Sequence, residues 1–351
     1  MSLGMGGFVG FGTPEELLIA LEKRYTETGE PKNLTVFHGA GIGDGKDRGM
    51  NHMGHEGLIK RLVCAHVGLA PKLGQLCMDN KVECFILPQG VCSHILRATA
   101  GNKPGLITHA GLKTYADPRV EACKGNDAAR RSGYDVVKLL QIDGKDYLFY
   151  KSVPLDICFI RGTYADEAGN VTMVKEGLHG DQLEMAMATR NSGGIVIVQV
   201  EKVVQKGCLP VKDIKIPSFM VDYIVEAKPE NHCQSFMSPD YRPELTGEIY
   251  IPMDAIEPMP LNPRKICGRR GAMLRPRRRR SPAPAGLFLR LLRPGVLLRG
   301  QPLPPDPKDQ PDPFPRPDLL CDRHYRAGPC QAPVSPAAPA LFRRRGLPRL
   351  H

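Results

Sequence analysis

A break in composition near Met273 divides the chain into two stretches that follow different folding rules. The last 78 residues hold 17 of the 33 prolines and contain no Ile, Thr, Asn or Glu. Proline removes a backbone donor and blocks helix interiors and central strands. Apolar pieces such as Gly286 to Leu298 are broken by Arg290, Arg293 and Pro294. This composition predicts a largely unstructured tail with no core of its own. A length of 351 residues alone suggests about two domains, but the break leaves one folded body of about 270 residues.

Charge follows the same boundary. The net charge of +11 sits entirely in residues 274–351, with 15 Arg and 1 Lys against 5 Asp, while the body balances 32 basic against 32 acidic side chains. The tail is open to three readings. It is a basic arm for nucleic acid or anionic lipid, with Arg277 to Arg280 as its densest run; a solvated linker; or the product of a shifted reading frame. GC-rich codons read out of register give Arg, Pro, Leu, Ala and Gly, and the missing Ile, Asn and Glu favour this third reading. No run approaches the ~18 apolar residues of a membrane helix. The start, Met1 to Gly12, lacks a basic leader and a small-residue cleavage site. The 11 cysteines are scattered, no two within four residues, which excludes C-x-x-C zinc and redox motifs. Reduced thiols in a cytoplasm are the expectation.

Within the body, Thr13-Pro14-Glu15-Glu16 predicts a helix start. Thr13 would cap, Pro14 occupies the first helical position and Glu16 completes a capping box. The helix would run from Glu15 to about Thr26 on a stripe of Leu17, Leu18, Leu21 and Tyr25. Leu34 to Phe37 reads as a buried strand, and His55 to Cys64 as a second helix. Val82 to Leu87 is a strand leading through Pro88-Gln89-Gly90 into a helix over Val91 to Thr99. Asp143-Gly144 predicts a hairpin turn between Val136 to Ile142 and Tyr147 to Lys151. Leu155 to Ile160 and Val171 to Val174 read as strands around the turn Asp166 to Asn170. A helix from Asp181 to about Arg190 precedes Gly194 to Val200, an apolar run suited to a strand covered on both faces. Alternating strands and helices predict an α/β sheet with antiparallel additions.

The densest chemical signal is Gly6-Gly7-Phe8-Val9-Gly10-Phe11-Gly12-Thr13-Pro14, running directly into the capped helix. Glycines permit tight turning and close approach to a ligand, and a helix start offers unpaired N–H groups to an anion; a tight turn with no ligand is the plainer reading. No lysine follows, so this is not a Walker loop. The second cluster, Gly39 to Gly45, lacks both G-x-G-x-x-G and Walker spacing. His52-Met53-Gly54-His55-Glu56 is not H-E-x-x-H, and its histidines read more simply as packing or hydration than as metal ligands. Asp181 to Glu184 reads as the charged first turn of a helix. No G-x-S-x-G is present, which leaves a serine hydrolase without support.

The pattern Gly-Gly-Phe-x-x-x-Gly-x-Pro, carried by Gly6, Gly7, Phe8, Gly12 and Pro14, resembles the signature of family I coenzyme A transferases. Pro88-Gln89-Gly90, Tyr147 to Lys151 and Arg161-Gly162 through Val171 fall in the family's order. The chain is similar to the propionate and acetate branch, in which two halves are fused, and the resemblance covers about Gly4 to Met273. It implies an open mixed α/β sheet of the CoA-transferase type with hairpin additions, followed by the disordered Arg/Pro-rich tail. Residues 1–273 would be the N-terminal, alpha-subunit-like domain, clipped at its start because the strand ahead of the glycine loop looks mostly absent. Residues 274–351 would be the tail, read as a frameshift product.

The resemblance also implies chemistry. A family glutamate attacks an acyl-CoA thioester, CoA returns to form a glutamyl-CoA thioester, and an acceptor carboxylate reverses the steps. Acetyl-CoA or propionyl-CoA and short-chain carboxylates would be substrates, with no permanently bound cofactor and no metal. Gln89 would donate a side-chain hydrogen bond to a developing oxyanion; the plainer reading is a polar residue fixing a turn. Gly6, Gly7, Phe8, Gly10, Gly12 and Pro14 would line the acyl-CoA site. The family nucleophile lies in the second half, yet the last glutamate of this chain is Glu257, so the role is assigned to no residue here. The resemblance therefore predicts a chain inactive by itself, from an enzyme whose intact relatives are homo-oligomers; the lack of a long apolar run argues against membrane association, and the neutral body disfavours nucleic acid. A partner-dependent subunit and a basic-tail nucleic-acid binder are the alternatives, with a sugar-phosphate isomerase open by fold analogy alone.

Overall fold

The computed structural model describes residues 1–232, 240–258, 260–274 and 341–343. The chain alternates β1 (Ser2–Met5), α1 (Glu15–Thr28), β2 (Leu34–His38), β3 (Ile59–Cys64), α2 (Pro71–Met78), β4 (Glu83–Ile86) and α3 (Gln89–Ala100). It continues through β5 (Gly105–Thr108), α4 (Asp127–Arg131), β6 (Val137–Ile142), β7 (Lys145–Lys151), β8 (Ile157–Arg161), β9 (Tyr164–Asp166) and β10 (Val171–Thr172). Next come α5 (Gln182–Asn191), β11 (Ile195–Val200), β12 (Lys202–Val204), β13 (Ile214–Ile216) and β14 (Tyr223–Glu226). The one-turn α6 (Pro243–Thr246), α7 (Pro263–Leu274) and β15 (Leu341–Arg343) close the order. The described residues divide into two units, residues 1–250 with β15, and residues 251–274 with α7. No described helix is long and apolar enough to cross a membrane.

The main sheet has eight strands in the order β15-β14-β11-β8-β1-β2-β3-β4. All neighbours are parallel except β14 and β15. Period-two alternation sorts side chains onto its two faces. Val36, Leu62 and Cys84 join one core with Leu18 of α1 and Leu73 of α2. Phe37, Val63 and Phe85 join the other with Ile95 of α3 and Met185 of α5. A fully buried side chain such as Leu18 contributes about 2 kcal/mol relative to exposure. From β1 the chain winds outward through β2, β3 and β4, then returns to place β8, β11 and β14 on the opposite side of β1. The order thus reverses between β1 and β8, and the crevice at the carboxyl ends of those two strands is where open α/β sheets bind ligands.

Several expectations hold. β6 and β7 pair antiparallel across Asp143 and Gly144, whose φ values of 52° and 72° are both left-handed, as a type I′ turn requires. β11 lies between β8 and β14 with Val196, Val198 and Val200 fully buried.

Others are corrected. The segment read as a helix over His55 to Cys64 ends in strand β3, paired on both edges, with Arg61 bonded to Glu83 of β4 at 2.8 Å. Leu58, Ile59, Leu62 and Val63 fit a helical spacing, but the free edges of β2 and β4 decide the outcome. The helix beside them is α2, which local periodicity did not reveal. The strand judged mostly absent at the start is present as β1, buried in mid-sheet between β8 and β2. Leu155 to Ile160, placed among hairpins, supplies the central parallel strand β8. The partner of β10 in its hairpin is β9, around the turn at Asp166 to Asn170. The tail reading for residues 274–351 falls outside the described residues except at Leu274 and β15.

Candidate active site

The glycine loop leaves the carboxyl end of β1, inside the crevice where the sheet reverses. Phe8 and Phe11 exchange backbone hydrogen bonds of 2.9 Å across Val9-Gly10. Val9 has φ 57°, a left-handed conformation that a β-branched side chain rarely adopts. Two further bonds hold it there, Val9 N–H to Gly41 O at 2.7 Å and Gly43 N–H to Val9 O at 2.8 Å. The second glycine cluster therefore buttresses the first. The N–H groups of Gly7, Gly10 and Gly12 donate to no described backbone acceptor. Gly7 and Phe8 are partly exposed, whereas Gly6, Gly10, Gly12 and Pro14 are buried.

The expected capping box at α1 does not form. Thr13 Oγ1 is buried without a partner, and Pro14 precedes the helix with no side-chain cap. A distant residue caps instead: Gln199 of β11 accepts from Glu16 N–H at 2.9 Å. The Glu16 carboxylate turns away to Asn231 Nδ2 at 2.7 Å. Glu15 accepts from Gly49 N–H at 2.9 Å and bonds His52 Nε2 at 2.9 Å. His52 Nδ1 also bonds Glu22, as does His55 Nε2 at 2.7 Å. The histidine pair thus clasps α1 through carboxylates. Burial opposes charge on Glu22, but hydrogen bonds from His55 and His52 hold its carboxyl below the usual range. Burial likewise opposes charge on His52, and Glu15 and Glu22 outweigh it and raise the imidazole. No cluster of three or more metal-ligating side chains fit for a metal ion occurs among the described residues.

Beneath the loop lies a buried polar knot that the sequence did not announce. Arg161, at the end of β8, pairs with Glu176 through Nε at 3.1 Å, and both side chains are fully buried. Arg161 Nη1 donates to Thr13 O at 3.4 Å. Burial raises the Glu176 carboxyl against the pull of Arg161. His232 sits 4.0 Å from Glu176; burial, then Arg161 and Lys175, keep its imidazole well below the usual range. Gln182, the first residue of α5, bonds both Arg161 N–H and Gly12 O. These residues come from separate elements, and no local spacing could have grouped them.

Gln89 is exposed at the first position of α3, directly after β4. It lies on the same carboxyl edge as the glycine loop, but β4 is three strands from β1, about 14 Å at the ordinary strand spacing. Between them, Asp181 at the start of α5 bonds Ser93 Oγ of α3 at 2.8 Å, and burial raises its carboxyl.

A doubly wound sheet with a glycine loop at its reversal defines an open α/β protein, and comparison with known proteins makes the class specific. The family profile described as coenzyme A transferase matches residues 1–227. The chain is 43% identical over 272 residues to the caffeate CoA-transferase of Acetobacterium woodii, covering 78% of this chain and 51% of that one. It is 27% identical over 226 residues to the alpha subunit of the acetoacetyl-CoA:acetate/butyrate CoA transferase of Clostridium acetobutylicum, covering 64% of this chain and 90% of that one. The crystal structure of the acyl-CoA transferase YdiF of Escherichia coli O157:H7, a thioester complex with CoA, superposes with a TM-score of 0.69 at 35% identity, covering 77% of this chain and 51% of that one. The chain belongs to the coenzyme A transferase family. It spans about half the length of the longer curated relatives it matches.

Proposed function

We propose that this chain forms the acyl-CoA-cradling half of a short-chain acyl-CoA:carboxylate CoA-transferase, using acetyl-CoA or propionyl-CoA and small carboxylic acids. The observation that carries the reading is the position of the family's glycine loop, at the carboxyl ends of β1 and β8 where the sheet order reverses. Acyl transfer develops negative charge on a carbonyl oxygen twice, so fixed N–H donors in a water-poor crevice are what the reaction needs. Among the described residues, Gly7, Gly10 and Gly12 carry N–H groups without a backbone acceptor, and Gln89 is exposed on the same edge. Gly6, Gly7, Phe8, Gly10, Gly12 and Pro14 form the loop that lines the site. CoA and its thioesters enter and leave as substrates.

The nucleophile would come from another half. A glutamate carboxylate attacks the thioester carbonyl and expels CoA thiolate, leaving a mixed anhydride. The thiolate then attacks the glutamyl carbonyl, giving the glutamyl-CoA thioester and releasing the first acid. Glu257 is the last glutamate of the chain, and Glu15 and Glu16 are already committed to holding α1. The purified chain mixed with acetyl-CoA and labelled propionate is expected to give no labelled propionyl-CoA. Adding a companion chain that carries the second half of such an enzyme should start the exchange. Gln89→Ala should then lower kcat about 100-fold. Exchange by this chain alone would refute the assignment. Sequencing the coding DNA across Met273 tests the frameshift reading, which requires another frame to resume with a glutamate-bearing second half.

A further inference from the structure

Two glycines of the loop face protein. An ideal Cβ on Gly6 would stand 2.2 Å from Gln182 Oε1, and one on Gly12 would stand 2.7 Å from Gln182 Nε2. The Gln182 side chain, 1% exposed, threads between the two ends of the loop. Its Nε2 donates to Gly12 O at 2.8 Å, and its Oε1 accepts from Arg161 N–H at 3.1 Å. Gly12 has a left-handed φ of 62°, a second reason for glycine, but Gly6 has no positive φ. At Gly6, the Gln182 side chain is the obstacle that a Cβ would meet.

We infer that Gln182 is a positioning residue that fixes the loop after β1 to the end of β8 from behind. The inference deepens the proposed acyl-CoA site and rests on it for its functional half. The carbonyl of Gly12 is pulled toward α5, and the partly exposed edge at Gly7 and Phe8 is left for ligand. The chemistry requires a primary amide, because donor and acceptor must sit on one short side chain. Met fills the space and makes neither bond. Glu keeps the acceptor and sets a negative oxygen against Gly12 O.

The test uses the full chain in two readouts, urea midpoint by circular dichroism and acetyl-CoA affinity by isothermal titration. The variants are Gly6→Ala, Gln182→Ala, Gln182→Met and the double Gly6→Ala/Gln182→Ala. Gly6→Ala should lower the midpoint sharply or prevent folding, whereas in the Gln182→Ala background the same change should cost nothing further. Gln182→Met should keep most of the midpoint and weaken acetyl-CoA at least tenfold. A Gly6→Ala penalty equal in both backgrounds would overturn the inference. So would a Gln182→Met chain that binds acetyl-CoA as tightly as the parent. If the parent itself binds no acetyl-CoA, the proposed function fails, and the ligand-free coupling of Gly6 to Gln182 still decides the positioning claim.

Discussion

Replacing Arg161 by Met removes one charge of the buried pair and strands the other. Arg161 and Glu176 lie 3.1 Å apart, Nε to Oε1, with both side chains fully buried. With about 4 Å between charge centres and an effective dielectric near 20, their attraction is about 4 kcal/mol. Breaking a buried pair by deleting one partner costs about 3–5 kcal/mol, because the remaining charge keeps its desolvation penalty. Arg161→Met also leaves Thr13 O without its Nη1 donor. An unfolding free energy lower by about 4 kcal/mol, or a Tm lower by roughly 10 °C, is expected for a unit of this size. Circular dichroism in urea suits the measurement, since the chain has no tryptophan. The loss must also depend on pH. Burial already raises the Glu176 carboxyl, and without Arg161 it rises further. The folded variant then binds a proton that the unfolded chain releases above about pH 4.5, so its stability falls as pH rises. Arg161 also helps to keep His232 neutral, so its removal eases protonation of His232 beside Glu176. The penalty should therefore be smaller at pH 5 than at pH 8. Adding Glu176→Leu should recover most of the loss. A single variant weaker by less than about 1 kcal/mol, or a penalty independent of pH, would refute the reasoning.

Other consequences are equally direct. The His52 imidazole is raised and the Glu22 carboxyl lowered in the folded chain; the His52 contribution is complete below about pH 6.5 and lost as pH rises through its folded value, while the Glu22 contribution is complete above about pH 4.5. His52→Gln should therefore lower the urea midpoint most near pH 6, and the gap should narrow by pH 9. At the acid end, burial holds His38 down to about 4, so the parent should lose stability as pH falls from about 6.5 toward that value. Val9→Gly should stabilise the chain by about 1 kcal/mol, strain of about 1–3 kcal/mol being relieved against the entropy of an added glycine; a lower midpoint would show that Val9 is not strained. Asn126 bonds Cys84 N–H, Ala129 N–H, Cys77 O and Val82 O. Asn126→Ala should cost about 3 kcal/mol in the same assay, with Asn126→Asp recovering only the two accepted bonds.

What the sequence determined by itself was local or repetitive. Asp143-Gly144 dictated its hairpin because few residue pairs accept two left-handed positions in succession. The apolar run from Ile195 to Val200 required a strand covered on both faces. The spacing of Gly6, Gly7, Phe8, Gly12 and Pro14 marked the loop that the fold then set at the reversal of the sheet. Only tertiary structure decided the rest. Ile59 to Cys64 became a strand because β2 and β4 offered open edges, although its apolar spacing suits a helix equally well. Thr13 lost the cap to Gln199, 183 positions away from the N–H it accepts, since any acceptor at the right distance satisfies a helix donor. That Gln89, after β4, and the glycine loop, after β1, share one carboxyl edge follows from the parallel sheet order. Arg161, Glu176, Gln182 and His232 carry no mutual signal along the chain. A buried charge or amide finds its partners only where the packed elements place them, and that placement is a property of the whole fold.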